Sequence, residues 1–234
     1  MADIGYLHRE EHLRSTDFIS DIVIGMSDGL TVPFALAAGL SGAVANSSLV
    51  VTAGIAEIVA GSIAMGLGGY LAGRTEADHY DSERRREAAE VDTVPEREKE
   101  EVREVFADMG LSPVLQNAIA DELIKDKIKW VDFMMKYELG LEAPDPNRAT
   151  KSALTIGLAY VVGGLVPLTP YFLVARPPEA LLYSSAITLL CLFIFGYFKA
   201  RVTGQSPISG ALKVMLIGAL AAAAAFSVAR LVGG

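Results

Sequence analysis

Cysteine is almost absent from this chain. Cys191 stands alone among 234 residues, which excludes a disulfide framework and any thiolate metal site. Histidine is scarce as well, and His8, His12 and His79 do not cluster. Charge is missing from long stretches: residues 154–174 and 180–198 carry none, and neither does the link SGAVANSS at 41–48. No cleavable signal is expected, because the first 17 residues are polar and the first apolar run is too long for a signal's core.

What is present is apolar. Hydrophobic residues make up 52% of the chain and the mean hydropathy is +0.38, yet 21% of the residues are charged. The conflict dissolves once the charges are located, since residues 74–151 hold 20 of the 28 acids and 13 of the 20 basic residues. This is the pattern of a membrane protein with one soluble insert. Five runs, 18–40, 49–71, 154–174, 180–198 and 208–229, can each cross a hydrocarbon core of ~30 Å at ~1.5 Å per residue. Lys213 stands near the start of the fifth, where its long side chain can reach the interface.

Basic residues set the orientation. Arg9 and Arg14 precede the first run, Arg74 and Arg84–Arg86 follow the second, and Lys199 and Arg201 follow the fourth. All fall on one side, read as the cytosol, so the N-terminus and the insert are cytosolic and the C-terminus lies across the membrane. The sequon Asn46-Ser47-Ser48 falls on the far side, too close to the bilayer to be read as more than chance. The net charge of −8 reflects the insert, and no nucleic-acid partner is expected.

The expected fold is thus an all-α membrane protein of five transmembrane helices, with a three-helix cytosolic insert between the second and third spans. Its parts are an N-terminal segment 1–17, spans one and two in 18–73, the insert in 74–146, and spans three to five in 147–234. No breaker follows span two until Pro95, so that helix continues past the bilayer to about residue 91. Thr93-Val94-Pro95-Glu96 has the form of a capped helix start, Gly110 that of a helix-ending glycine, and Ser112-Pro113 opens a third helix running to about Leu139. The predicted insert helices are 74–91, 94–109 and 113–139. Glycines in span two (61, 66, 68, 69, 73) and the alanines 219–225 of span five permit close helix approach.

Two groups of side chains can carry chemistry. Asp28 and Glu57 interrupt the first and second spans, and Met65 follows in the second. An ionised group at mid-membrane costs at least ~3 kcal/mol, so such acids face a cavity, a partner or an ion path. A carboxylate binds either a proton or a metal, and that competition is the minimum chemistry of an ion/proton exchanger. Gly25, Gly29 and Pro33 loosen the helix beside Asp28, and a thioether at Met65 favours a soft or borderline metal. The plainer alternative is a neutral Asp28 hydrogen-bonded between helices. The second group is Glu87 and Glu90, Glu98 and Glu101, and Met134 and Glu138, each pair spaced to share a helix face. Turned inward they form a carboxylate cage, weaker and more exchangeable than the histidine-bearing di-iron sites; turned outward they are solvated glutamates.

The blocks DGLTVPFALAAGLSG and EIVAGSIAMGLGGYLAG, with the Glu-rich insert, resemble the vacuolar iron transporter family, close to its plant members. The resemblance covers essentially the whole chain. It implies that Asp28, Glu57 and Met65 line the ion path and that Glu87, Glu90, Glu98, Glu101, Met134 and Glu138 are the ligands of a cytosolic metal-binding domain. It further implies a homodimeric Fe²⁺/H⁺ antiporter of the vacuolar membrane, not an enzyme. Fe²⁺ is then cargo, with Mn²⁺, Co²⁺ and Zn²⁺ as competitors, and no resident cofactor is expected. The alternatives are a membrane-anchored, ferroxidase-like carboxylate enzyme and a passive divalent-cation channel.

Overall fold

The computed structural model describes residues 12–233, with side chains from 17 to 232. Most of the expected N-terminal segment 1–17, including Arg9 and the side chain of Arg14, therefore lies outside the described residues. Everything described is helix or connection, with no strand. In order the helices are α1 (His12–Ser41), α2 (Ser47–Thr93), α3 (Pro95–Asp108), α4 (Pro113–Leu123), α5 (Lys127–Tyr137), α6 (Arg148–Leu173), α7 (Pro177–Val202) and α8 (Pro207–Gly233). Five of them, α1, α2, α6, α7 and α8, are long and apolar enough to cross a membrane. All five begin before their apolar runs and all but α6 also end beyond them, because nothing in the flanking residues stops the helix at the polarity change.

Local chemistry explains the ends. Asn46 Oδ1 accepts from the backbone N–H of Ser48 at 2.9 Å and so caps α2. At the other end the sequence expectation needs correction: Thr93 does not cap α3. It is the last residue of α2, and its hydroxyl donates back to the Ala89 carbonyl at 2.9 Å. Val94 takes the cap position without a side-chain bond, and Pro95 follows as the first helical residue. Gly110 has φ +82° and donates to the Ala107 carbonyl, the left-handed ending that glycine makes without strain.

The expected third insert helix is two helices. Between α4 and α5, Asp126 turns its carboxylate onto the N–H groups of Ile128 (3.1 Å) and Lys129 (3.3 Å). An acid that caps a new helix start outcompetes continuation of the old one.

The chain divides into two units. One is the chain up to Tyr70 together with the chain from Thr150 onward; the other is Leu71–Ala149. The second unit is an ordinary soluble core, with Val91, Val102, Ala120, Trp130, Val131, Met134 and Met135 buried together. The first unit buries large apolar side chains as well, Phe34, Leu168 and Leu192 among them, but exposes many more. Its buried positions include Ser41, Ser152, Ser184 and Thr188, while Ile63, Leu158, Leu182, Leu190 and Leu220 point outward. An outer surface of large apolar side chains, with hydroxyls among the buried positions, suits a lipid surround, where packing and interhelical hydrogen bonds bind helices together. Ser184 donates to the Pro167 carbonyl at 2.7 Å, and the Ser41 and Tyr171 hydroxyls meet at 2.8 Å.

Close approach is concentrated on α6. Gly25 and Gly29 of α1 lie on the backbone at Ile156 and Tyr160, and Gly164 gives room to Ile58 of α2 and Pro33 of α1. A methyl group on Gly29 would overlap the Tyr160 carbonyl, whereas Gly68 has open space around it. Gly29→Ala should therefore cost about 1–3 kcal/mol and lower the melting temperature of the detergent-purified protein by several degrees. Gly68→Ala should leave it unchanged or slightly higher, since alanine is the better helix former.

Candidate functional site

In the first unit the acids sit on two helices that both flank α6. Asp28 is half-buried on α1, in one stripe with Gly25 and Gly29. Glu57 is half-buried on α2, and Met65, also half-buried, follows eight residues later. Glu57 Oε1 accepts a hydrogen bond from the hydroxyl of Tyr160. Its other oxygen, Oε2, is cut off from solvent and has no hydrogen-bond partner. A carboxylate oxygen left in that state calls for a proton, a donor or a cation.

Two residues of this region went unassigned from sequence. Tyr160 looked like one more apolar residue of an uncharged span, and a tyrosine in a span gives no separate signal. Asp21 is 3% exposed on α1 and accepts from the Ser152 hydroxyl at 3.1 Å. Its position two helical turns before Asp28, hence on the same face, was legible.

In the second unit the glutamates do converge. One carboxylate oxygen from each of Glu87, Glu90 and Glu98 lies within 4.8 Å of the others, and the same holds for Glu98, Glu101 and Glu138. Glu98 belongs to both triads. It is 1% exposed and Glu87 2%, and each has an Oε2 that is buried and unpartnered. The spacing is set by α2, α3 and the end of α5, where Glu138 follows Tyr137 as the capping residue. Met134 lies one turn earlier on α5, fully buried in the apolar core.

Crowding shifts the acids. Loss of water pushes Glu87 up from 4.5 to about 7, helped by Glu138 and Glu90. Glu98 is pushed to about 7 by burial and then by Glu101 and Glu87. Glu138, exposed at the edge, reaches about 7 from lost hydration and from Glu101, Glu98 and Glu90. Two arginines border the group: Arg86 reaches Glu83 (3.1 Å) and Glu90 (3.4 Å), and Arg97 reaches Glu101 (3.0 Å). The sequence reading passed over both, although their i,i+4 spacing to Glu90 and Glu101 was the signal. With no imidazole or thiolate in either triad, the donors are hard oxygens that suit exchangeable divalent ions.

The raised values fix the sign of a pH effect. Between 4.5 and about 7 the folded unit holds more protons on Glu87, Glu98 and Glu138 than the unfolded chain does. Stability of the metal-free unit therefore rises as pH falls through that window and is lost as pH climbs back through it. Amide protection factors across α2–α5 should be higher at about pH 5.5 than at about pH 8, and a bound divalent ion should remove the difference. Because Glu98 serves both triads, Glu98→Gln should weaken Fe²⁺ binding, read by titration calorimetry, more than Glu90→Gln does.

Comparison with known proteins converges on one family. The model of the VIT family matches residues 19–230. "Vacuolar iron transporter 1" of Tulipa gesneriana is 55% identical over 225 residues, covering 96% of this chain and 91% of that protein. "Vacuolar iron transporter 1" of Arabidopsis thaliana is 53% identical, covering 96% and 90%. "Protein CCC1" of Saccharomyces cerevisiae is 40% identical, covering 92% of this chain and 69% of its own length. With the match running from the first membrane helix to the last, through both groups of acids, the chain belongs to the VIT family.

Proposed function

We propose that this chain carries Fe²⁺ out of the cytosol across the vacuolar membrane in exchange for protons. The observation that carries the reading is the set of buried carboxylate oxygens without a partner, Oε2 of Glu57, Glu87 and Glu98. Each is open to a positive charge, and proton and divalent cation are the two that compete for it. The relatives are named as transporters rather than enzymes, and that supports reading the acids as a route for cargo. Their names likewise support iron as that cargo and the vacuole as the compartment.

The mechanism follows from competition. The glutamates of residues 74–146 capture Fe²⁺ on the cytosolic side, using Glu87, Glu90, Glu98, Glu101 and Glu138, with Met134 as a soft donor. Carboxyls that titrate at about 7 are part-protonated at cytosolic pH, so metal capture releases protons. The ion then moves to Asp28, Glu57 and Met65, displacing protons there. Protons from an acidic lumen reload these acids and release iron on the far side. The active form is a homodimer in which two copies of α1 bring their Asp28 side chains together, so that one proton is retained between them when no ion is bound. The N-terminus and the insert face the cytosol and the C-terminus faces the lumen. Mn²⁺, Co²⁺ and Zn²⁺ share the ligand preferences of Fe²⁺ closely enough to compete.

Fe²⁺ uptake into proteoliposomes tests this, measured with and without an inside-acid gradient while the internal pH is followed. Uptake that requires the gradient and alkalinises the interior is the expected result; uptake indifferent to it would mean a channel. Asp28→Ala should abolish uptake without disturbing the oligomer, and wild-type uptake in that variant would overturn the pore assignment.

A further inference from the structure

Tyr160 is placed with unusual care for a residue in an apolar span. It is 2% exposed on α6. Gly29, beside Asp28, lies against its backbone, and Gly61, one turn after Glu57, lies against its hydroxyl end. Any side chain on either glycine would collide with Tyr160. Both acid-bearing helices thus leave a gap that this one tyrosine fills, and its hydroxyl donates to Glu57 Oε1. The remaining oxygen, Oε2, is buried and unpartnered.

That asymmetry has chemical content. A carboxylate can hold a cation through one oxygen or through both. Large, flexible Ca²⁺ shells take six to eight oxygens and gain from carboxylates that give both oxygens, although they accept one, whereas small divalent ions use shorter bonds and fewer ligands. With the phenol donating to Oε1, that oxygen is the poorer donor to a cation and the two-oxygen mode is disfavoured, so Glu57 presents chiefly Oε2. We propose that Tyr160 is a positioning residue that makes Glu57 a one-oxygen ligand and so discriminates Fe²⁺ from Ca²⁺ in the membrane path. This rests on the reading of Glu57 as part of that path. The tyrosine touches no ion; it acts through the carboxylate it holds.

The test is Fe²⁺ uptake by the full-length protein in proteoliposomes, with Ca²⁺ as competitor and, separately, as the transported ion. Tyr160→Phe keeps the ring that fills the gap and removes the hydroxyl alone. It should raise KM for Fe²⁺ about tenfold with a smaller change in maximal rate, the size expected for a hydrogen bond to a charged group. Ca²⁺ should become an effective competitor in the same variant. Gly61→Ala, whose methyl group would push the phenol off Glu57, should reproduce the loss of discrimination with every ligand intact, and it carries the test if Tyr160→Phe does not fold. An unchanged Fe²⁺/Ca²⁺ ratio overturns the proposal. So does a folded Tyr160→Phe protein that carries neither ion, because the phenol would then serve the transport step itself and not its selectivity. Wild-type and Asp28→Ala proteins run alongside separate the two failures. No uptake by wild type removes the transport reading, whereas active wild type, silent Asp28→Ala and unaltered Tyr160→Phe remove only the role of the tyrosine.

Discussion

A carboxylate taken out of water must be given a proton, a donor or a cation, and both units of this protein are arranged around that requirement. In the first unit Glu57 receives half of what it needs from Tyr160, and its other oxygen stays unmet. In the second, Glu87 and Glu98 are buried beside other acids, with arginines reaching only the outer members of the group. Replacing these acids by apolar residues would relieve the repulsion, so their presence is a cost to folding that stability alone does not explain. An exchangeable positive charge gives that cost a purpose.

The two units meet the requirement with different scaffolds. Around the cage the scaffold is a water-soluble core, where Trp130, Met134 and Met135 pack against Val91 and Val102 and fix the directions of α2, α3 and α5. Around Asp28 and Glu57 it is the approach of glycine-bearing backbones to α6, since lipid offers no hydrophobic drive to join helices. The first tolerates side chains of varied shape so long as volume is kept; the second depends on the absence of side chains at particular positions.

Much of this was readable from residue order. The five spans, the continuation of α2 and the ending at Gly110 all follow from runs and breakers, and the glutamate pairs from i,i+3 and i,i+4 spacing. The break at Asp126 was missed because Leu123, Ile124 and Lys125 are good helix formers, and the capping role of an acid shows only once its amide partners are in place. Thr93 was misread for a related reason: its hydroxyl could serve the helix behind it or the one ahead, and spacing does not choose. Tyr160 was invisible because its importance lies in what two other helices lack. Convergence of the three glutamate pairs is a tertiary fact that periodicity on separate helices does not contain.

Glu98 is common to both acid triads. In the proposed cage a carboxylate held in common would tie two cation positions together, because its two oxygens can bridge both ions but its single negative charge is then divided between them. Two divalent ions brought that close would repel each other, so the second would bind more weakly than the first. The same sharing lets one ion shift between positions without shedding all its protein ligands, so the stripping of water and donors that slows ion exchange is divided into smaller steps. In the proposed cage a shared carboxylate would thus favour turnover over retention.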